Sequence, residues 1–319
     1  MASLREVSPS DPVHQRALDA LYESAPILRD VEFFLEGGDA DRFKQRGDEG
    51  NDQQAWRNVN EDVAGTKASR TYALVSKRVF TFKAKVDAVI QDRGGDMDDE
   101  MMNQIWEEAY LQGFKFQDTF FNGDNGTNAK EPDGVLALCS ANSLVDTPSS
   151  GTIDVPVGNS DAAYTAQQEA LEKLQNFFSY VRATHAYMPV QLRNRIVTVA
   201  KELGYYREQV TEIGDGPDSI TVTEPMVHDT ILRTAGFASD QSDDEILKFD
   251  QTVNGNANAA SIVAVRHAER SNLTAATSAG LQIRVTEPAD YMQANANLDT
   301  TISLRSVRAA REYRGWRVT

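Results

Sequence analysis

Residues whose types and spacing could do chemistry are few, and each has a blander reading. His267-Ala268-Glu269 has the His-x-Glu spacing with which zinc deaminases hold a metal and place an acid–base carboxylate. That chemistry also needs a cysteine pair, and Cys139 is the only cysteine of the chain. The motif therefore reads as a polar strand end. Asn122-Gly123-Asp124-Asn125-Gly126 has the oxygen-rich look of a calcium loop. Its fifth position is Gly126, and the closing glutamate is replaced by the shorter Asp133, so it reads as a helix-ending turn. His14, His185 and His228 are scattered in sequence and reach a common metal only if the fold gathers them. Asp243, Asp244 and Glu245 read as a solvated acidic loop rather than a weak cation site. The chain has no Gly-x-x-x-x-Gly-Lys phosphate loop, no dinucleotide fingerprint and no Gly-x-Ser-x-Gly elbow. No catalytic residue, cofactor-binding residue or metal ligand is assigned, and no cofactor is expected. One cysteine also rules out an intrachain disulfide and a four-cysteine zinc site.

Composition narrows the class further. The 319 residues carry 48 Asp and Glu against 32 Lys and Arg, a net charge of −16. Only 10 of the cations are lysine, whereas Asp alone numbers 28. Tight binding of nucleic-acid phosphates needs clustered cations, so this chain is a poor candidate for it, although it could enclose nucleic acid without holding it. Scarce lysine with abundant aspartate also suits solubility at high salt, which hints at a halophilic host. No apolar run approaches the roughly 18 residues of a membrane span. The first 30 residues carry charges throughout and lack the apolar segment of a signal peptide, so the protein is expected to stay in the cytoplasm where it is made, with no membrane partner.

The elements are organised around residues 96–126. Asp98, Asp99 and Glu100 put negative charge where a helix start favours it. Met102, Ile105, Trp106, Ala109, Gly113, Phe116 and Phe120 recur at helical spacing, and Asn122-Gly123 stops the run. About 24 helical residues reach roughly 36 Å, the length of a strut. Upstream, residues 1–50 read as an arm with a helix starting at Pro12 and an apolar knot at Phe33, Phe34 and Leu35. The arm packs either on its own core or on a neighbouring subunit. Residues 40–70 are polar and read as a loop or extended excursion. Phe80, Phe82, Ala84, Val86 and Ala88 alternate with Thr81, Lys83, Lys85 and Asp87, a strand with one wet face. With Lys67 and Lys77 nearby, this basic stretch fits either contact with the acidic surface of another copy or a lysine-protected strand edge. Downstream, helices are expected at about 161–183 and from Pro189 to Gly204. Strands are expected at 219–233 and 260–267, an acidic loop from Ser239 to Asp250, and tail strands at Gln282–Thr286 and Thr300–Val307.

This order of elements resembles the major capsid proteins of tailed viruses, whose Johnson fold is shared by tailed phages, herpesvirus shells and encapsulins. The resemblance is carried by the strand Val79–Ile90, the long helix, and Phe120-Phe121-Asn122-Gly123-Asp124 followed by Pro132-Asp133-Gly134-Val135-Leu136. In the family the spine helix commonly ends in Phe-x-Asn-Gly-Asp-Gly, followed by Pro-x-Gly-Ile/Leu. This chain departs by inserting Asn125 and lengthening the stretch before Pro132. Met188-Pro189 to Tyr205-Tyr206-Arg207-Glu208 is similar to the helix of the family's axial domain.

The resemblance implies an α+β fold with a long spine helix, an extended β loop, and peripheral and axial domains. Residues 1–50 would be the N-terminal arm and 51–92 the extended loop. Residues 93–144 would form the peripheral domain with the spine helix, 145–281 the axial domain, and 282–319 the return strands of the peripheral domain. It implies a non-enzymatic protein that assembles with itself as pentamers and hexamers into an icosahedral shell. The shell would enclose double-stranded DNA without binding it specifically, be assembled in the host cytoplasm and reside in the virion. Portal and decoration proteins are implied partners. The first 50 residues are too short for a fused scaffold, so a scaffold would be separate or absent. Some members crosslink a loop lysine to an asparagine of another subunit, and Lys67 and Lys77 are the conceivable donors. Two alternatives stay open: an encapsulin-type cellular shell loaded with cargo enzymes, and an acidic soluble enzyme with an unrecognised site.

Overall fold

The computed structural model describes residues 3–47, 70–87, 89, 96–213, 220–268, 271–287 and 291–319. The N-terminal residues fold back onto the chain's own core. Ser3 and Glu6 form a capping box on α1, Leu4–Val7. Asp11 caps α2, Pro12–Ser24, by accepting from the amides of Val13 and His14. After α3, Ile27–Asp30, the short strand β1, Phe33–Leu35, pairs in parallel with Ala275–Thr277. Leu4, Ala17, Leu18, Leu21, Ile27, Leu28 and Phe33 are all buried in the main apolar cluster. Of the two packings open for this segment, its helices take the one on their own core: α1 to β1 carry enough apolar surface to be satisfied within one subunit.

The expected loop or extended excursion opens as an ordered strand. β2, Ala40–Arg46, is a strand that pairs antiparallel with β3, Arg70–Ser76, as a two-stranded ribbon. Its inward row, Asp41, Phe43 and Gln45, holds a single apolar residue, which hid the alternation. β4, Arg78–Asp87, follows at once, with Phe82, Ala84 and Val86 buried and Lys83 and Lys85 exposed.

The long helix α4, Met97–Asn122, is capped by Asp96. It buries Met101, Ile105, Ala109, Gly113, Phe120 and Phe121. At Gly113 it meets α2 so closely that a Cβ would lie 1.9 Å from Ser24 Oγ. Beneath it runs a four-stranded sheet in the order β1-β13-β14-β4, where β13 is Leu273–Thr286 and β14 is Tyr291–Leu304. Phe116 of α4 stands edge-on to Phe80 of β4 at 5.4 Å. A short helix α5, Val135–Ala141, buries Cys139.

A nine-stranded sheet forms the second layer, with the path β5-β15-β12-β7-β10-β9-β8. Its strands are β5 Val145–Asp146, β6 Ile153–Val155, β7 His185–Met188, β8 Tyr206–Ile213, β9 Ile220–Val227, β10 Thr230–Thr234, β11 Gln251–Val253, β12 Asn256–Val265 and β15 Ala310–Val318. Helices α6, Asp161–Val181, and α7, Val190–Glu202, lay Leu171, Leu174, Phe178, Leu192, Ile196 and Val199 against Ile262 and Trp316. Pro189 precedes α7, and Gly204 follows it at φ +76.

The tail differs from expectation. β13 starts at Leu273, and its register shifts between Thr277 and Leu281, so a boundary at 281/282 falls inside a single strand. Thr274, Ala275, Ala276 and Thr277 are buried but too small to show an apolar alternation. β14 is already paired at Tyr291 and ends at Leu304. β15 joins the nine-stranded sheet rather than the one under α4, so residues 282–319 serve both layers. Residues 288–290, between the two strands, lie outside the described residues.

Candidate functional site

Two arrangements carry function-bearing chemistry: an exposed ribbon face and a buried polar junction. In the ribbon, Arg42 stands opposite Leu74, Lys44 opposite Tyr72, and Arg46 opposite Arg70. Residues directly opposite, and residues two apart, share a face. One face thus presents four cations around Tyr72 and Leu74, which are 79% and 63% exposed. Lys44 Nζ lies 4.9 Å from the centre of the Tyr72 ring. The other face is anchored. Asp41 is fully buried and accepts from Arg305 Nη2 at 2.8 Å and from Ser303 Oγ at 2.6 Å. Gln45 Nε2 donates to the Leu304 carbonyl at 3.0 Å. Among the described residues, Arg42 and Arg70 form no ion pair.

An exposed acidic patch lies at the start of α4. Asp96 spends its carboxylate on the amides of Asp98 and Asp99, while the Asp98 and Asp99 side chains are exposed.

The junction lies where α3 meets the nine-stranded sheet. Asp30 is buried, and Tyr187 Oη donates to its Oδ2 at 2.6 Å. Arg233 is ion-paired to Asp30 and also to Glu224 at 2.5 Å. His267 Nε2 lies 3.2 Å from Tyr187 Oη, and the His185 and His267 rings are 5.2 Å apart. Burial lifts the Asp30 carboxyl from 3.8 to about 6, against the pull of Arg233 and Tyr187. Burial, with Arg233 adding to it, drops His185 from 6.5 to about 4. Burial likewise holds His267 well below its ordinary value. Burial opposes the Arg233 charge, but Asp30 and Glu224 outweigh it and keep its pKa above the usual value. The histidines are therefore neutral, and the ion triad is a structural lock between layers. Sequence reading missed it because its members come from α3, β7, β9, β10 and the end of β12.

The sequence candidates resolve separately. His185 meets His267, but His14 and His228 lie elsewhere: His14 Nε2 accepts from the Ile283 amide at 2.8 Å, and His228 pairs with Ser179 at 2.8 Å. Among the described residues no three metal-capable side chains gather. Glu269 lies outside the described residues. Asp124 accepts from the Gly126 amide at 2.8 Å and Asp133 from the Asn125 amide at 2.9 Å, so both carboxylates are used by the turn. Glu245 accepts from the Val190 amide at the start of α7, and Asp244 pairs with Lys248. Asp243 lies in the same loop. Lys77 is buried and donates to the Glu36 and Gly38 carbonyls and to Ser278 Oγ. Its ammonium is consumed there, which removes it as a crosslink donor. Lys67 lies outside the described residues. No described helix is long and apolar enough to cross a membrane.

No family model matches the chain, and no curated protein matches its sequence. Solved structures do match its shape. The holo-SrpI encapsulin complex from Synechococcus elongatus aligns with 98% of this chain and 94% of its own, at a TM-score of 0.55 and 11% identity. The capsid of an empty GTA particle aligns over 97% and 93%, at 0.53 and 12%. A protein of Microbacterium phage Oxtober96 aligns over 93% and 91%, at 0.51 and 12%. The chain therefore has the α+β Johnson fold of viral capsid and encapsulin shells.

Proposed function

We propose that this chain is a major capsid protein. It assembles with itself as pentamers and hexamers into an icosahedral shell that encloses viral double-stranded DNA. The observation that carries this reading is a capsid-shell fold spanning nearly the whole chain and nearly the whole of each shell protein. The exposed cationic ribbon in a chain of net charge −16 supports it, since such a face is suited to an acidic neighbour. In this reading the ribbon is the root of the extended loop. The sheet beneath α4 is the peripheral part, and the nine-stranded sheet with α6 and α7 is the axial part. A negative inner wall would let DNA lie close without adhering. The protein acts as a structural component of the virion, assembled in the host cytoplasm with portal and decoration proteins as partners and a scaffold that is separate or absent, and it performs no catalysis. The test is negative-stain electron microscopy of the purified protein in low and multimolar salt. Closed shells or capsomer rings support the reading, and small discrete particles in every condition overturn it.

A second reading, an encapsulin-type shell, is favoured by two observations: the N-terminal helices pack on the subunit's own core, and an encapsulin aligns over 98% of the chain. Particles from the native source separate the two, since nuclease-protected DNA marks a virion and a co-purified protein cargo marks an encapsulin.

A further inference from the structure

A cavity of about 220 Å³ opens between α4 and β4, beside the turn that follows the helix. Its walls include Phe80 of β4, Phe116 and Phe120 of α4, and Ile302 of β14. Two polar groups line it unmet. Thr300 is only 5% exposed, and its Oγ1 has no hydrogen-bond partner. Its neighbours on the same face of β14, Leu298 and Ile302, are buried and apolar. A hydroxyl left without a partner in such a layer costs free energy that a methyl group would not. Arg78 stands directly opposite Thr300 across the β4–β14 pair, so the two side chains share the face turned toward α4. Arg78 Nη2 donates to Asn125 Oδ1 at 2.8 Å, whereas its Nε is buried with no partner. Asn125 is the residue inserted into the turn, so this chain's own departure from the pattern holds the guanidinium in place. Among the described residues Arg78 forms no ion pair.

The charge around the cavity has the opposite sign to that of the chain. Arg78, Lys115 and Lys130 line it with Glu131 as the single carboxylate, in a protein of net charge −16. Lys115 reaches both Asp118 and Glu131, at 3.6 and 3.4 Å, and Lys130 is exposed. Two unmet donors beside an apolar chamber with a cationic mouth suit a molecule with an acidic head and an apolar body.

We infer that this cavity binds a small amphiphilic acid, a medium-chain carboxylate. Its head accepts from Arg78 Nε and Thr300 Oγ1, charge-assisted bonds that satisfy both orphans. Its chain lies among Phe80, Phe116, Phe120 and Ile302. At roughly 30 Å³ for each water-sized group, the volume takes about seven carbons beyond the head, which is the size of octanoate. The bound acid touches β4 and α4 together, so it ties the strand that follows the ribbon to the long helix. The inference is independent of whether the chain builds a shell.

The test is isothermal titration calorimetry of the full chain with octanoate. Saturable binding of one octanoate per chain is expected. Octanol, with the same chain and no charge, is expected to bind at least tenfold more weakly. Arg78→Gln is expected to weaken octanoate at least tenfold and to leave octanol unchanged. Thr300→Val, which keeps the shape and removes only the hydroxyl, is expected to weaken octanoate severalfold while the variant melts no lower than the wild type. That second variant keeps the test decisive if Arg78→Gln disturbs the turn through Asn125. The absence of saturable binding would overturn the site. So would binding that both substitutions leave unchanged, since it would mark adsorption to exposed apolar surface elsewhere.

Discussion

The amide of Gly134 donates to the carbonyl of Gly123 at 2.7 Å, so the end of the long helix and the start of α5 touch backbone to backbone. A Cβ on Gly134 would lie 2.7 Å from Gly123 N and from the Phe121 carbonyl oxygen. A Cβ on Gly123 would lie 2.5 Å from the carbonyl oxygens of Pro132 and Thr119. The Asn-Gly … Pro-Asp-Gly pattern is thus a steric requirement. The residues inserted between Asp124 and Pro132 bulge into solvent and leave this contact intact.

Gly134→Ala is accordingly expected to destabilise the fold by about 1–3 kcal/mol, the cost of overpacking against atoms that cannot move aside. Gly126→Ala is the control. Its new Cβ would meet only the Asp124 carboxylate, at 3.1 Å, on the surface of the turn. Urea denaturation of both variants checks this, and equal losses would contradict the steric account.

The junction sets two opposing pH dependences. Asp30 titrates near 6 when folded against 3.8 in the open chain, so its contribution is full below 3.8 and is lost as pH rises through about 6. His185 titrates near 4 against 6.5, so its contribution is full above 6.5 and is lost as pH falls through about 4. His267 acts in the same direction as His185. Arg233, Glu224 and Tyr187 are the other titratable groups facing the cluster. Asp30→Asn removes the first dependence and keeps the second. Its stability should fall more steeply than that of the wild type as pH drops from about 6.5 to about 4. Urea midpoints across that window measure the slopes, and parallel curves would count against the assignment. Arg233→Ala, which strands a buried carboxylate, is expected to cost about 3–5 kcal/mol near neutral pH.

Much of the fold was legible in sequence because its signals were local. Asp96 to Gly123 carried a cap, an apolar stripe and a stop, and Pro189 to Gly204 did the same on a smaller scale. The Phe80 to Val86 alternation showed because its inward row is wholly apolar and its outward row, Thr81, Lys83 and Lys85, is polar. β13 was half missed because Ala and Thr fill its buried positions, and β2 because Asp41 and Gln45 put polar side chains on its inward row. The N-terminal packing turns on what α2 meets, chiefly Gly113 and its neighbours on α4, which no local pattern encodes. The Asp30–Arg233–Glu224 lock joins residues up to 203 positions apart, so only the folded chain shows it.

Cys139 is expected to be inert in the native protein. It is fully buried on α5, and burial, with Glu312 adding to it, pushes its thiol to about 12. A thiol-reactive chromogenic reagent at mildly alkaline pH should show no reaction until urea unfolds the chain, then one thiol per chain. Rapid native labelling would mean that α5 opens locally.

Salt should stabilise the fold. Forty-eight acidic residues against 32 cations leave the subunit under self-repulsion, which salt screens over a distance that shrinks from about 10 Å at 0.1 M to about 3 Å at 1 M. The surface ion pairs that salt also weakens, such as Arg207–Asp229 and Lys248–Asp244, are exposed and contribute little to begin with. The buried pairs Arg305–Asp41 and Arg233–Asp30 are shielded from ions by the protein around them. Relief of repulsion therefore outweighs loss of pairing, and the melting temperature is expected to rise from low to multimolar potassium chloride. Thermal unfolding followed by circular dichroism measures this. A rise that continues into molar salt, beyond the range where screening is complete, would favour adaptation to a saline host, whereas a falling melting temperature would show that exposed pairing, not repulsion, governs this surface.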